Sequence, residues 1–258
     1  MSMRTPLCVT LALLTGFSML PSVRAADAVL RLCADEWMPF NGQAGDERPG
    51  YVIELARAVY ASEEIAVEYT VMPWDEALAA VRDGRMTAAI GANEAEAEGL
   101  VLPSEPIGAP PVCLMTRADS TWSYGNVTSF RSVQLGVIKD YSYWPNLDNY
   151  IEKDAGGAVM LVEGDSPLGD LMQLLTDRKV DVIAETEPVL LWHFRANNID
   201  RSLYRVVYKH EAEPIYLAFA PHEEGRRFAA VFERRVKELR AAGELEKLLR
   251  RYGLRDWQ

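Results

Sequence analysis

The sequence has few of the residues that bind metal ions or build disulfide frameworks. Its 258 residues include three cysteines and three histidines, and their spacing does not resemble that of a structural zinc site. Cys33 and Cys113 are the cysteines outside the N-terminal apolar run. In an oxidising compartment they either pair or remain small buried thiols, and the sequence leaves both options open. We expect neither a metal nor another cofactor.

Positive charge falls short of negative charge, with 27 Lys and Arg residues against 38 Asp and Glu. The formal net charge is −11, and a chain this acidic repels phosphate backbones, which argues against nucleic acid as a partner. The sequence also lacks the G-x-S-x-G pattern that carries the nucleophile of many serine hydrolases. These absences remove two common classes of function.

Long apolar runs are absent beyond the N-terminus. Arg4 precedes an apolar run over residues 7–20, and Val23-Arg24-Ala25 follows it with small residues at a cleavage position. This pattern predicts a signal peptide over residues 1–25, the alternative being an N-terminal membrane anchor. No later segment approaches the roughly 18 apolar residues of a membrane span. We therefore expect an exported, periplasmic protein.

One helix–strand pattern occurs twice, over residues 74–96 and 166–188. In each copy, apolar residues at helical spacing precede a polar break and a short apolar strand. The matched positions are Arg85 with Lys179, Ala88 with Val182, and Asn93 with Glu187. Alternating helices and strands predict an α/β fold with mostly parallel sheets flanked by helices.

Other segments extend this pattern. Residues 30–34 read as a buried first strand, and residues 50–61 as an amphipathic helix. The inward face of that helix is predicted to carry Ile53, Ala56, Val59 and Tyr60. The tail over residues 223–252 reads as two helices interrupted at Ala242-Gly243.

Polar and aromatic residues cluster directly after the predicted strands. Because ligands of open α/β sheets bind beyond the carboxyl ends of the strands, these loops are expected to face a common cleft. The loops are Asp35-Glu36-Trp37, Pro73-Trp74, Gly91-Ala92-Asn93-Glu94, Lys139-Asp140-Tyr141-Ser142 and Glu185-Thr186-Glu187.

Seven segments occur in a recognisable order: ADEWMPF, PGYVIELARAV, WDEALAAVRDGRMTAAI, LPSEPI, LGVIKDYSY, DRKVDVIAETEPV and AAGELEKLLRRYG. Together they resemble family 3 periplasmic solute-binding proteins, which deliver polar amino acids to ABC importers. The resemblance implies a type II periplasmic binding protein fold, with two lobes joined by two crossing strands. It places residues 26–115 and 213–258 in lobe 1 and residues 116–212 in lobe 2.

The resemblance also implies a function. The protein would be a monomeric, non-enzymatic binding protein that captures a small polar molecule between its lobes and passes it to an ABC transporter permease. Trp37 and Trp74 fall where the family places rings that sandwich the ligand, and Asn93 adds a polar contact. Tyr141 and Ser142 match a loop that binds a ligand anion, with Asp140 where glycine is usual.

Thr186 stands where family members place the acid that meets a ligand ammonium. Its neighbours Glu185 and Glu187 are both acidic, so we expect one of them to face the cleft and the other to cap the following helix.

The loop after the third strand departs from the family. Amino-acid-binding members carry an arginine there that clamps the ligand's α-carboxylate, whereas this chain has Glu94, Glu96 and Glu98 and no arginine over residues 93–100. Either the ligand is not a standard α-amino acid, or another residue holds its carboxylate. We expect the glutamates themselves to form a solvated turn.

Two other functions remain open. The sequence resembles, more distantly, periplasmic cyclohexadienyl dehydratases, in which Glu185 or Glu187 would serve as a general acid if burial raised its pKa. Alternatively, the same fold would serve as the ligand-binding module of a sensor system.

Overall fold

A computed structural model describes residues 28–153, 157–164 and 166–257. The signal peptide predicted for residues 1–25 lies outside these residues. Among the described residues, no helix combines the length and the apolar character that crossing a bilayer requires.

The strands of the described residues form two sheets, with the orders β2-β1-β3-β9 and β6-β5-β7-β4-β8. The strands are β1 Val29–Ala34, β2 Ala66–Val71, β3 Ala88–Ala92, β4 Val112–Arg117, β5 Leu135–Ile138, β6 Val159–Val162, β7 Val182–Thr186, β8 Tyr204–Lys209 and β9 Tyr216–Phe219.

Helices flank both sheets. They are α1 Tyr51–Ala61, α2 Trp74–Arg82, α3 Pro145–Lys153, α4 Pro167–Thr176, α5 Glu187–Ala196, α6 Glu223–Ala241 and α7 Glu244–Arg251, with short 3-10 helices at Val127–Ser132 and Arg201–Leu203. The predicted inward face of α1 is confirmed, because its four residues are fully buried. The tail is two helices as predicted, separated at Gly243 with φ of 72°.

Each sheet has three parallel strands at one side and antiparallel strands at the other. In the first sheet, β1 pairs in parallel with β2 and β3, and β9 joins antiparallel. In the second sheet, β5 pairs in parallel with β6 and β7, and β4 pairs antiparallel with both β7 and β8. The predicted α/β class is confirmed, and the sheets are mixed because both crossing segments deliver antiparallel strands.

The helix–strand repeat is confirmed at the level of single hydrogen bonds. The N–H groups of Arg85 and Lys179 donate to the carbonyls of Ala80 and Leu174, at 2.9 and 2.8 Å. Both helices end through a residue in the left-handed region, which is Gly84 in one copy and Arg178 in the other. β3 and β7 then begin at the matched residues Ala88 and Val182.

Two crossing segments connect the sheets and pair with each other. The N–H of Ile107 donates to the carbonyl of Ile215 at 2.8 Å, and the N–H of Ile215 donates to the carbonyl of Gly108 at 2.9 Å. The first crossing is complete by Val112, where β4 begins in the second sheet. The pairing ties the two connections into a short ribbon between the lobes.

The two cysteines lie in different sheets. Cys33 is in β1 and Cys113 in β4, and both are free and fully buried. Burial raises the pKa of each thiol to about 12. Both therefore act as small buried side chains in this structure.

Candidate functional site

A cavity of about 620 Å³, including its open mouth, lies between the lobes at the carboxyl ends of the parallel strands. This volume is in the range of small-molecule sites, roughly 300–1,000 Å³. Loops of both lobes contribute to it. Its lining comprises Asp35, Trp37, Trp74, Ile90, Gly91, Asn93, Glu96, Pro110, Val112, Tyr141, Ser142, Tyr143, Thr186, Glu213 and Ile215. Of the eight residues predicted for the site, this cavity brings together all except Glu185 and Glu187.

The two predicted tryptophans line the cavity in different ways. Trp37 stacks on Phe40 with ring centroids 4.1 Å apart, so one of its faces is covered. A Cβ at Gly91 would approach the Trp37 ring within 3.3 Å, and Gly91 has φ of 105°, so glycine allows this packing. Trp74 is the first residue of α2 and is only partly buried. Both rings are therefore partly core residues that also line the cavity, Trp37 against the core on the α1 side of the first sheet and Trp74 against a second cluster that includes Ala77 and Val81.

The turn after β3 directs its three glutamates to different surroundings. Asn93 Oδ1 accepts from the N–H of Glu96 at 2.9 Å, and Glu96 Oε2 accepts from the N–H of Asn93 at 3.0 Å. Glu96 Oε1 also accepts from Trp74 Nε1 at 3.1 Å. Glu94 and Glu98 are exposed, as expected for a solvated turn, but Glu96 faces the cavity. Burial raises the pKa of Glu96.

A hydrogen bond joins the lobes across the cavity. Tyr141 Oη donates to Asp35 Oδ2 at 2.5 Å. Burial raises the pKa of Asp35 to about 6, and the bond from Tyr141 opposes that rise. Asp140, just before Tyr141, has φ of 64°, so it adopts the conformation that the usual glycine favours.

The predicted anion-binding loop is already satisfied within the protein. Ser142 Oγ donates to Asp148 Oδ2 at 3.1 Å, and the N–H of Tyr143 donates to Asp148 Oδ1 at 2.9 Å. Asp148 lies in the first turn of α3. Its carboxylate therefore occupies two donors of the loop that the resemblance offered to a ligand anion, the Ser142 hydroxyl and the Tyr143 N–H.

The two glutamates at the junction of β7 and α5 point in different directions. Glu185 is 2% exposed, and its Oε1 accepts from the N–H of Thr186 at 2.6 Å and the Thr186 hydroxyl at 3.0 Å. Trp37 Nε1 approaches the same oxygen at 3.5 Å from the other lobe. Burial raises the pKa of Glu185 to about 7. Glu187 begins α5 and pairs with Lys209 at 2.6 Å, away from the cavity.

Three cavity carboxyl groups, those of Asp35, Glu96 and Glu213, were missed as site residues. Asp35 directly follows β1, one of the strands whose carboxyl end faces the cleft, and that position was the available signal. Glu96 stands three residues after Asn93, an N-cap pattern that orients its side chain back to the turn. The described residues contain no cluster of three or more His, Cys, Asp or Glu arranged for a metal ion.

Solved structures share this fold at low sequence identity. A protein of Streptococcus mutans, from work on glutathione import via GshT and the cystine ABC importer TcyBC, is 20% identical, with a TM-score of 0.75 over 90% of this chain and 98% of its own. The L-arginine-bound substrate-binding protein AbpA of Streptococcus pneumoniae is 18% identical, with a TM-score of 0.67 over 87% and 94%. A histidine kinase sensor domain similar to periplasmic binding proteins is 19% identical, with a TM-score of 0.73 over 89% and 98%.

No curated protein matches the sequence. A family model, by contrast, matches residues 30–255, which is nearly the whole described chain. The two mixed sheets, the paired crossing segments and the inter-lobe cavity agree with that match. The chain belongs to the bacterial extracellular solute-binding proteins, family 3.

Proposed function

We propose that this protein captures a small polar solute in the inter-lobe cavity, in the periplasm, and passes it to an ABC importer. The observation that supports this most strongly is the pair of inter-lobe contacts, Tyr141 to Asp35 and Trp37 to Glu185. They lie beside the cavity, so a ligand between the lobes would contact the same surfaces that closure brings together. Hinge closure around a ligand is the motion associated with such folds.

Truncation of Trp74 tests the site. Trp74→Ala removes the ring at the start of α2, and we expect a loss of affinity of about 30-fold or more, as for a buried aromatic anchor. Trp74→Phe keeps a ring and should retain most of the binding. Calorimetric titration with a solute identified by thermal shift measures the affinity, and circular dichroism checks the fold. Unchanged affinity in folded Trp74→Ala would refute this site.

A role as the ligand-binding module of a sensor system competes with the importer role. The resemblance to a histidine kinase sensor domain concerns the fold alone. Uptake of radiolabelled solute by cells with and without the gene distinguishes the two. Loss of uptake supports import, whereas unchanged uptake with a lost transcriptional response supports sensing.

A dehydratase-like activity is the second candidate function. The raised pKa of Glu185, to about 7, suits a general acid. Its substrate class, however, is dianionic, and the charged side chains that line the cavity among the described residues are Asp35, Glu96 and Glu213, all acidic. Incubation with a cyclohexadienyl dicarboxylate, followed by absorbance of the aromatic product, tests it. Turnover that is lost in Glu185→Gln would favour the enzyme.

A further inference from the structure

The first indication of the ligand's charge is the loop that begins at Tyr141. Asp148 accepts from both Ser142 Oγ and the N–H of Tyr143. A ligand carboxylate at this position would have to displace a carboxylate that belongs to the protein and sits at the start of a helix, where negative charge is favoured. The internal partner thus makes this loop a poor receptor for an anion.

The second indication is the sign of the charge around the cavity. Asp35 and Glu96 line it from lobe 1. Burial is the main cause of the raised pKa of Glu96, and the charges of Asp148 and Asp35 add to it. Two cationic side chains near the cavity already have partners within the protein. Lys139 pairs with Glu163 at 2.5 Å, and Arg82 donates to the backbone carbonyl of Glu96 at 2.7 Å.

The third indication is an unpaired oxygen. Glu185 Oε2 is buried and has no hydrogen-bond partner among the described residues. It lies beside a pocket that adjoins the inter-lobe cavity and shares Trp37 and Tyr141 with it. The other oxygen, Oε1, accepts from Thr186 and Trp37. A buried acceptor left without a donor is costly, and a nearby cation would lower that cost.

Aromatic surface completes the set. Trp74 borders the cavity beside Glu96, whose carboxylate accepts from its indole N–H. A tryptophan face attracts a cation by about 0.5–2 kcal/mol. Carboxylates and an indole ring in one desolvated cleft are complementary to an ammonium or guanidinium group.

We infer that the ligand of this cavity is an organic cation without a carboxylate, an amine or guanidinium compound held by Asp35, Glu96 and the ring of Trp74. The inference rests on the proposed function, since it names the ligand class of the same site. An α-amino acid would bring a carboxylate into a cavity with acidic walls, where Asp148 occupies the Ser142 hydroxyl and the Tyr143 N–H and Asp35 accepts from the Tyr141 hydroxyl.

Decarboxylation pairs isolate this one group. The probes are agmatine with L-arginine, putrescine with L-ornithine, and cadaverine with L-lysine, titrated calorimetrically into the purified protein. Within each pair the cationic side chain is the same, and the α-carboxylate is present or absent. We expect one or more of the three amines to bind more tightly than its parent amino acid by about tenfold to a hundredfold, the cost of a charged group left without a partner.

Charge-neutral variants assign the effect to residues. Asp35→Asn and Glu96→Gln should each weaken amine binding by about tenfold. They should weaken amino-acid binding less, because the lost attraction for the cation is offset by relief of the repulsion on the α-carboxylate. Glu98→Gln is the matched control, because Glu98 lies in the same turn and is exposed. Asp148→Asn removes the internal anion and should shift the preference of the pair toward the amino acid. Melting temperatures check that each variant folds.

The outcomes separate this inference from the proposed function. Tighter amino-acid binding in every pair would overturn the cation inference and leave solute binding intact. Binding of neutral polar solutes alone would do the same. Equal losses of amine affinity in Glu96→Gln and Glu98→Gln would contradict the assignment of Glu96 as a residue that holds the cation. If none of the amines, amino acids or neutral solutes bound, both the inference and the proposed function would fall.

Discussion

Replacing Glu185 with glutamine should stabilise the protein at alkaline pH. Glu185 is 2% exposed, and burial raises the pKa of its carboxyl from 4.5 to about 7. The unfolded chain therefore releases this proton at lower pH than the folded chain does. Between pH 4.5 and 7 the folded state binds more protons, so the free energy of unfolding falls as the pH rises.

The size of the effect follows from the same values. A rise in pKa from 4.5 to about 7 costs the folded state about 3 kcal/mol once the pH exceeds 7, and close to nothing below 4.5. Glutamine resembles the protonated carboxyl in shape and keeps an oxygen to accept from the N–H and hydroxyl of Thr186. Glu185→Gln should thus be about as stable as the wild type at pH 4.5 and up to about 3 kcal/mol more stable at pH 8.

Urea denaturation followed by far-ultraviolet circular dichroism at pH 4.5, 6 and 8 measures this difference. Glu187→Gln is the matched control, because Glu187 lies two residues away and its carboxylate pairs with Lys209 at 2.6 Å, where both side chains are partly exposed. That variant should lose at most about 1 kcal/mol, with little change between pH 6 and 8. If Glu185→Gln were destabilised equally at all three values of pH, Glu185 would be ionised and well paired, and the reasoning would be refuted.

Three further predictions concern other parts of the fold. Tyr141→Phe removes the inter-lobe bond to Asp35, so the ligand-free radius of gyration from solution scattering should rise and the ligand affinity should fall about tenfold; unchanged values would show that this bond does not hold the lobes. Gly225→Ala should lower the free energy of unfolding by about 1–3 kcal/mol in urea titrations, because the added Cβ would clash with a backbone carbonyl of the preceding loop; a neutral effect would contradict that clash. Cys33 and Cys113 should resist a thiol reagent in the native protein and react in urea, whereas absence of reaction in urea would indicate a disulfide.

The parts of the fold that the sequence predicted are those with local signals. Helix α1 shows its buried face as an apolar periodicity, and the helix–strand repeat shows its two polar breaks as separate sequence features. The two breaks form turns of the same conformation, because Gly84 and Arg178 both take left-handed backbone angles. The features were readable because each depends on residues close together in the chain.

The unpredicted elements depend on distant partners. β8, Tyr204–Lys209, is the edge strand of the second sheet and pairs with β4, about ninety residues earlier. It carries exposed Val206 between partly buried neighbours, so no clean apolar alternation marks it. β6 is four residues long with Leu161 54% exposed. Their structure comes from pairing rather than from their own composition.

The candidate site was likewise predictable only in part. The loops that face the cavity were predictable, because parallel strands bring their carboxyl ends to one edge. The partners of each side chain were not. Asp148 occupies the donors of Ser142 and Tyr143 because α3 begins directly after them. That local capping arrangement puts a carboxylate of the protein where the resemblance implies a ligand anion.

Glu96 shows why charge pattern alone does not identify the acid that lines a cavity. Glu94, Glu96 and Glu98 alternate along the chain, but the turn is set by the reciprocal bonds between Asn93 and Glu96. Those bonds leave the two outer glutamates in solvent, and Trp74, on a helix that ends before the turn begins, fixes the inward carboxylate. The loop therefore carries negative charge toward the cavity as a consequence of its own folding. An arginine at residue 96 would lose both acceptor oxygens that Trp74 and Asn93 use, so the acidic character of this wall is built into the turn.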